Sequence, residues 1–237
     1  MRPVIILQND PIVPPGTIID YLEEHEVVYK LVKTYADEEW GNLDKLRALI
    51  ILGSPQSAMF YSQSEHLSRL FTFIHKAIGV YLPVMGICFG SQLLAMAHGA
   101  GVSQGRTMEL GCCQVELTSE GLNDPIFRNT NPSLNVFQFH QDRWNLPDKA
   151  SLLATNETCP SQVFRSNKSV GIQFHPEVNL EIVKSWCEKF ASTLEANQKT
   201  AEEIISEYEK IAEELKDLNY KILENFLKHT ITKEPGL

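Results

Sequence analysis

Through its first hundred residues the chain alternates between two periodicities. Short unbroken aliphatic runs, each closed by a turn residue, give way to longer stretches in which apolar residues return every three or four positions. The first kind predicts strands buried on both faces, and the second predicts amphipathic helices. "PVIILQ" reads as a first buried strand and "TIIDYLEEH" as the helix after it. "VVYKLV" is a second strand, and "ALIILGSP" a third, ended by Gly53 and Pro55. "SEHLSRLFTFIHKAIG" reads as a helix opened by Ser64, whose hydroxyl can cap the first free amides. "LPVMGICFG" supplies a strand and a turn, and "SQLLAMAHG" a helix stopped at Gly99. Strands and helices in this alternation predict an α/β fold whose mostly parallel central sheet is flanked by helices on both faces.

After Gly105 the pattern changes. "CCQVEL", "LNVFQFH", "ASLLAT", "SQVFRS" and "SVGIQFH" are short strand candidates with little helix between them, which predicts antiparallel additions to the sheet. A helix follows from about Leu180 to Leu194. From Thr200 to His229 the chain is rich in Glu and Lys, with apolar residues at Ile204, Tyr208, Ile211, Leu215, Leu218, Ile222 and Phe226. Steps of three and four place these on one helical stripe. The stripe is expected to pack on its own domain, with a dimer seam or a partner surface as the alternative. The organisation expected is therefore a domain over residues 1–195 and a helical C-terminal extension over 196–237.

Composition narrows the function classes. The 237 residues are 43% hydrophobic, enough for one well-cored domain with an appendage. A net charge of −9 argues against a nucleic-acid or anionic membrane surface, both of which call for clustered Lys and Arg. No segment approaches the length that spans a bilayer, and the opening apolar run is too brief for a secretory signal. The 5 cysteines are an odd number without CxxC spacing, so a reducing cytoplasm is the expected compartment. His66, His75 and His98 fall on predicted helices without ligand spacing, and no metal is expected. No Walker-type phosphate loop is present, so the chain is not expected to activate an acceptor with ATP by itself, and no cofactor is expected.

One cysteine stands apart. In "PVMGICFGSQLL" a strand runs into Gly86-Ile87-Cys88-Phe89-Gly90 and then a helix, the layout of a nucleophile elbow. Small residues at positions 86 and 90 leave room for a sharp turn that lifts the thiol at the carboxyl end of the strand. The amides opening the following helix favour negative charge on sulfur and on an incoming oxyanion. A thiol needs a base at neutral pH. "GIQFHPEV" offers one in His175 at a strand end, with Glu177 just beyond Pro176. A carboxylate on the far ring nitrogen would fix the tautomer and stabilise the imidazolium. The other thiols lack this setting. Cys112 and Cys113 are explained by burial on a strand, and Cys159 and Cys187 have no base or glycine elbow nearby in the sequence.

Cys88 in its glycine-flanked turn with Gln92, and Phe174-His175-Pro176-Glu177 far downstream, resemble a class I glutamine amidotransferase. The resemblance covers roughly Ile5 to Leu194. It is closest to the single-domain group similar to the glutaminase half of GMP synthase and to the γ-glutamyl peptidases of that group, and "FHQDRWNLP" supports this narrower placement. The resemblance implies a flavodoxin-like fold and a small-molecule γ-glutamyl substrate. It implies that Cys88 attacks the γ-carboxamide carbon, that His175 moves the proton and that Glu177 orients His175. It also implies oxyanion donors at the amides of Ser54 and Phe89, where Gly53-Ser54-Pro55 replaces a Gly-Gly-Pro loop. Gly53, Gln92, His140, Gln141 and Asp142 are expected around the substrate, and Glu109 and Gly111 in "MELG" match a loop near the glutamine site. Three readings follow: a glutaminase serving a separate synthetase subunit, a hydrolase of γ-glutamyl peptides or conjugates that needs no synthetase, and a non-catalytic binding or regulatory protein. The sequence leaves the oligomeric state open.

Overall fold

The computed structural model describes residues 2–36 and 38–230. Residues 231–237 of the expected extension lie outside the described residues. The strands are β1 (Val4–Gln8), β2 (Tyr29–Lys33), β3 (Ala48–Ile51), β4 (Val84–Ile87), β5 (Val102–Leu117), β6 (Ser133–Trp144), β7 (Ser151–Thr155), β8 (Val163–Ser166) and β9 (Ser169–Ile172). The helices are α1 (Thr17–Glu24), α2 (Glu65–Gly79), α3 (Phe89–Ala97), α4 (Ser119–Asn123), α5 (Leu180–Lys189), α6 (Ala191–Ala196) and α7 (Ala201–Thr230).

Among the described residues the nine strands form one sheet in the order β2-β1-β3-β4-β9-β8-β7-β5-β6. The half from β2 to β9 is parallel and the half from β9 to β6 is antiparallel. The parallel half has the flavodoxin-like order, so its ligand-binding edge is the carboxyl end of the strands. The aliphatic runs sort their side chains by the two-residue period of a strand. Val4, Ile6, Ala48, Ile50, Met85 and Ile87 enter the core under α1, α5 and α7, whereas Ile5, Leu7, Leu49, Ile51 and Val84 enter the core under α2 and α3. Burial on both faces explains why these strands read as unbroken apolar runs. The result is an α/β fold with a large central sheet flanked by helices, as the sequence predicts.

Details of the second half differ from the sequence reading. "CCQVEL" and "LNVFQFH" are the middles of two long strands, β5 and β6, paired along most of their length. Their pairing slips between Gln104 and Glu109, where residues 105–108 bulge opposite Gln141. "MELG" is therefore the end of this bulge and its return to the ladder. His140, Gln141 and Asp142 lie inside β6 rather than at its end. The helix expected over Leu180–Leu194 breaks at Phe190, whose φ of −111° and ψ of 30° separate α5 from α6. At the other elements the signals act as read: Ser64 accepts from the Leu67 amide, and Gly99 (φ +87°) follows the end of α3.

The acidic tail is one helix of 30 residues. Ile204, Tyr208, Leu215, Leu218, Ile222 and Phe226 are buried in the same core cluster as α1 and β6, joined by Leu223 and Leu227, while Ile211 is half-buried at the margin. Polar side chains fix the register. Tyr208 Oη donates to Val178 O at 3.0 Å, Asn219 Nδ2 to Thr17 Oγ1 at 2.6 Å, and Asn225 Nδ2 to the carbonyls of Ile126 and Arg128 at 3.0 Å. Among the described residues no helix is long and apolar enough to cross a membrane.

Candidate active site

Cys88 sits between β4 and α3 with φ +49° and ψ −111°, a sparsely populated backbone region that costs an L-residue about 1–3 kcal/mol. The strain is held by close packing on either side. A Cβ on Gly86 would lie 2.5 Å from Gly90 O, and one on Gly90 would lie 2.2 Å from Ile51 O. The turn is pinned by Cys88 N donating to Ile172 O at 2.8 Å, and by Ser91 Oγ donating to Cys88 O at 2.7 Å. The thiol is thus fixed at the carboxyl edge of the sheet, over the first turn of α3. Among the described residues neither Ser54 N nor Phe89 N has an intramolecular acceptor, so both amides remain available near this turn.

β9 lies beside β4, and the chain leaving it brings His175 to the cysteine. The His175 amide donates to Phe137 O at 2.8 Å, and its ring stands beside Cys88, since a Cβ on Gly53 would lie 3.1 Å from His175 Cε1 and 3.7 Å from Cys88 Cβ. On the far side, Nδ1 of His175 lies 2.7 Å from Glu177 Oε1, and Glu177 is fully buried. The Glu177 carbonyl accepts from Thr17 N at 2.9 Å, and a Cβ on Gly16 would fall 2.0 Å from that carbonyl. The start of α1 therefore clamps the His-Pro-Glu segment. Trp186 packs edge-on against the imidazole with ring centroids 4.8 Å apart, its own Nε1 donating to Ile12 O at 2.6 Å. Gly53 completes the enclosure, since a Cβ there would approach His175 Cε1 to 3.1 Å. Burial disfavours the imidazolium, but the charges and hydrogen bonds of Glu177 and Cys88 outweigh it and raise the His175 pKa from 6.5 to about 10. The ring is therefore a proton-holding group beside the sulfur.

A cleft of about 330 Å³ opens over Cys88. Ser54, Gln92, His140, Gln141, Asp142 and His175 line it, Glu177 stands behind His175, and Gly53 and Phe89 flank the thiol. Several of these side chains are already engaged. Gln92 Nε2 donates to Asp142 O at 3.0 Å, which ties α3 to β6 at the wall of the cleft. Gln141 Nε2 donates to Gly105 O at 3.2 Å, across the bulge. The Asp142 carboxylate accepts from Ser57 Oγ in the loop that follows Ser54. Ser54 Oγ accepts from Gln56 N at 3.2 Å, which shapes that loop from within. Gly111 is buried in β5 against Glu207 of α7 rather than in the cleft.

The opposite wall was not legible in the sequence. Met108, Phe139, Trp186 and Phe190 face the cleft as an apolar surface. Trp186 and Phe190 are four residues apart, a spacing that reads equally as helix core, and Met108 reaches the site only through the bulge. Cys159 has no base near it in the sequence, but the fold brings Glu109, His140 and Cys159 together, with ligand-type atoms within 4.8 Å of one another beside the cleft. The pairing of Glu109 directly opposite His140 across β5 and β6 causes this.

Comparison with known proteins agrees with this architecture. Residues 16–192 match the family model for glutamine amidotransferase class-I. The chain is 33% identical over 180 residues to the glutamine amidotransferase-like protein YfeJ of Salmonella typhimurium, covering 71% of this chain and 73% of that one. It is 33% identical over 138 residues to the glutamine-hydrolysing GMP synthase of Cronobacter sakazakii, covering 55% of this chain and 25% of that protein. The crystal structure of a glutamine amidotransferase from Thermotoga maritima superposes with a TM-score of 0.89 at 28% identity, over 96% of this chain and 99% of that one. The protein belongs to the class I glutamine amidotransferase family.

Proposed function

We propose that the protein hydrolyses a γ-glutamyl amide through Cys88, His175 and Glu177. The observation that carries this reading is the Cys88–His175–Glu177 line at the floor of an open cleft, with a buried carboxylate 2.7 Å behind the imidazole. In the ion-paired form the Cys88 sulfur attacks the γ-carbonyl carbon, and the carbonyl electrons move to oxygen. The amides of Ser54 and Phe89 receive that oxyanion. His175 then gives its proton to the departing nitrogen, the C–N bond breaks, and a γ-glutamyl thioester remains. Water, deprotonated by the now neutral His175, attacks the thioester. Its collapse breaks the C–S bond, releases glutamate and leaves the Cys88 thiolate beside the reprotonated His175. Glu177 stabilises the imidazolium in both halves. A reducing cytoplasm suits this chemistry, because the reacting sulfur must stay unoxidised.

A second reading is favoured by the apolar wall. Ammonia needs no such surface, whereas an amine carrying an apolar group would bury against Met108, Phe139, Trp186 and Phe190. On this reading the protein cleaves γ-glutamyl peptides or conjugates unaided. On the first reading it supplies ammonia to a separate synthetase subunit and turns over slowly alone. Glutamate release from glutamine and from a panel of γ-glutamyl peptides tests both. Turnover of peptides above glutamine supports the unaided hydrolase, slow turnover of glutamine alone supports the glutaminase, and neither glutamate nor an acyl adduct on intact Cys88 with any of them refutes the hydrolytic reading.

A further inference from the structure

In the proposed reaction His175 gives its proton to the departing nitrogen, so whatever that nitrogen carries lies on the His175 side of the cleft. The ring packed against the imidazole is Trp186, with centroids 4.8 Å apart. Aromatic contacts continue from it, Trp186 to Phe139 at 5.5 Å and Phe139 to Phe190 at 5.4 Å between centroids. Met108 joins this wall from the bulge, its sulfur accepting from Asn197 Nδ2 at 3.5 Å. Phe139 stands on β6 and Trp186 on α5, so regular elements hold the wall in place.

This wall has nothing to pair with a charge. Its one side-chain N–H, Trp186 Nε1, is used in donating to Ile12 O at 2.6 Å. Thr193 adds a single hydroxyl, and among the described residues no Lys or Arg lines the cleft. Arg106 is on the same bulge as Met108 but is exposed and outside the lining. The neutral polar side chains, Ser54, Gln56, Ser57, Gln92 and Gln141, come from the loop after β3, from α3 and from β6, where the glutamyl head can use them. The acidic groups are Asp142 and, behind His175, Glu177. A carboxylate on the leaving amine would be stripped of water against apolar rings with no cation to pair it, which is costly. An apolar substituent gains by the same burial.

We infer that Trp186, Phe139, Phe190 and Met108 form a leaving-group subsite for an aromatic or branched apolar primary amine that bears no carboxylate. The inference rests on the proposed function and narrows its substrate to γ-glutamyl amides of such amines, ahead of glutamine and of γ-glutamyl peptides. When the C–N bond breaks, the nitrogen takes the His175 proton and departs as the neutral amine, and the glutamyl group stays on the Cys88 sulfur.

The test uses glutamine, γ-glutamylphenethylamide and γ-glutamylphenylalanine, the last two differing by a carboxylate alone. The phenethylamide should exceed glutamine in kcat/KM about 10- to 100-fold, the return from burying one apolar side chain. It should exceed γ-glutamylphenylalanine by about tenfold or more. Phe190→Ala should cut the phenethylamide-to-glutamine ratio about tenfold. Equal or better use of γ-glutamylphenylalanine overturns the inference, as does glutamine turned over as efficiently as the phenethylamide. Calorimetry with Cys88→Ala reads the subsite without turnover, and the phenethylamide should bind tightest of the three. If the wild type releases no glutamate and forms no adduct with any of them, the proposed function fails. The phenethylamide binding tightest to Cys88→Ala still upholds the subsite in that case, and its binding no tighter than γ-glutamylphenylalanine overturns it.

Discussion

Replacing Glu177 with Gln isolates the charge behind the imidazole. The amide keeps an acceptor oxygen within reach of His175 Nδ1, so the ring orientation is retained while the negative charge is lost. In the wild type the imidazole pKa rises from 6.5 to about 10 against the pull of burial, and the Glu177 charge is the foremost cause of that rise. Such a shift biases the ring toward the imidazolium by more than about 10³. Without Glu177, burial is opposed only by Cys88, and most of that bias goes. The expected loss in kcat/KM is about 10³- to 10⁴-fold, the upper end being the cost of neutralising the orienting carboxylate of a serine triad. Glu177 Oε2 has no hydrogen-bond partner among the described residues, so the new amide group is left unpaired and costs about 1–3 kcal/mol of stability. The pH dependence carries a sign. A folded-state pKa above the unfolded value stabilises fully below about pH 6.5 and loses that effect as pH rises toward 10. The stability gap between wild type and Glu177→Gln should therefore be widest near pH 6.5 and narrow toward pH 10. Denaturant titrations across that window, with NMR titration of the His175 ring, measure it. A His175 titration unchanged by the substitution, or a gap that widens with pH, would refute the reasoning.

Three further outcomes are expected. Cys88→Ala should abolish amide hydrolysis while shifting the melting temperature by no more than about 4 °C, because a small side chain is exchanged on a backbone fixed by its neighbours; persistent turnover would remove Cys88 from the mechanism. Gly90→Ala should destabilise the fold by at least about 1–3 kcal/mol, since its Cβ would lie 2.2 Å from Ile51 O. Chemical denaturation measures this, and an unchanged midpoint would show that the elbow is not tightly packed. Removing residues 201–237 should leave no cooperatively folded domain. Each of Ile204, Tyr208, Leu215, Leu218, Ile222, Leu223, Phe226 and Leu227 stabilises by about 1.5–3 kcal/mol when buried, and together they exceed the whole stability of a typical domain. A sharp calorimetric transition in the truncated chain would contradict this.

The parts of the fold legible in the sequence are those set by local pattern. Runs such as "ALIILG" can be buried on both faces only in a covered parallel sheet, and the spacing of the α7 stripe fits one helix. The elbow was legible because its two glycines answer a steric demand within five residues. What escaped depends on register. Nothing local shows that "CCQVEL" continues through a bulge to Val102, or that Glu109 will face His140, because a cross-strand pair is fixed by the whole ladder. That Gln92 also donates to the Asp142 carbonyl, 50 residues away, is a tertiary contact that its spacing from Cys88 does not show. Trp186 and Phe190 read as helix core in the sequence, and only the packing of α5 beside the catalytic cysteine places them on the cleft.

The central claim is that Cys88 takes up the γ-glutamyl group, and intact-mass spectrometry of the acid-quenched protein during turnover tests it most directly. The expected result is a glutamyl acyl adduct on the Cys88 peptide that forms with a γ-glutamyl substrate, decays as glutamate appears, and is absent in Cys88→Ala. Release of glutamate with no adduct at any quench time, together with undiminished release from Cys88→Ala, would contradict it.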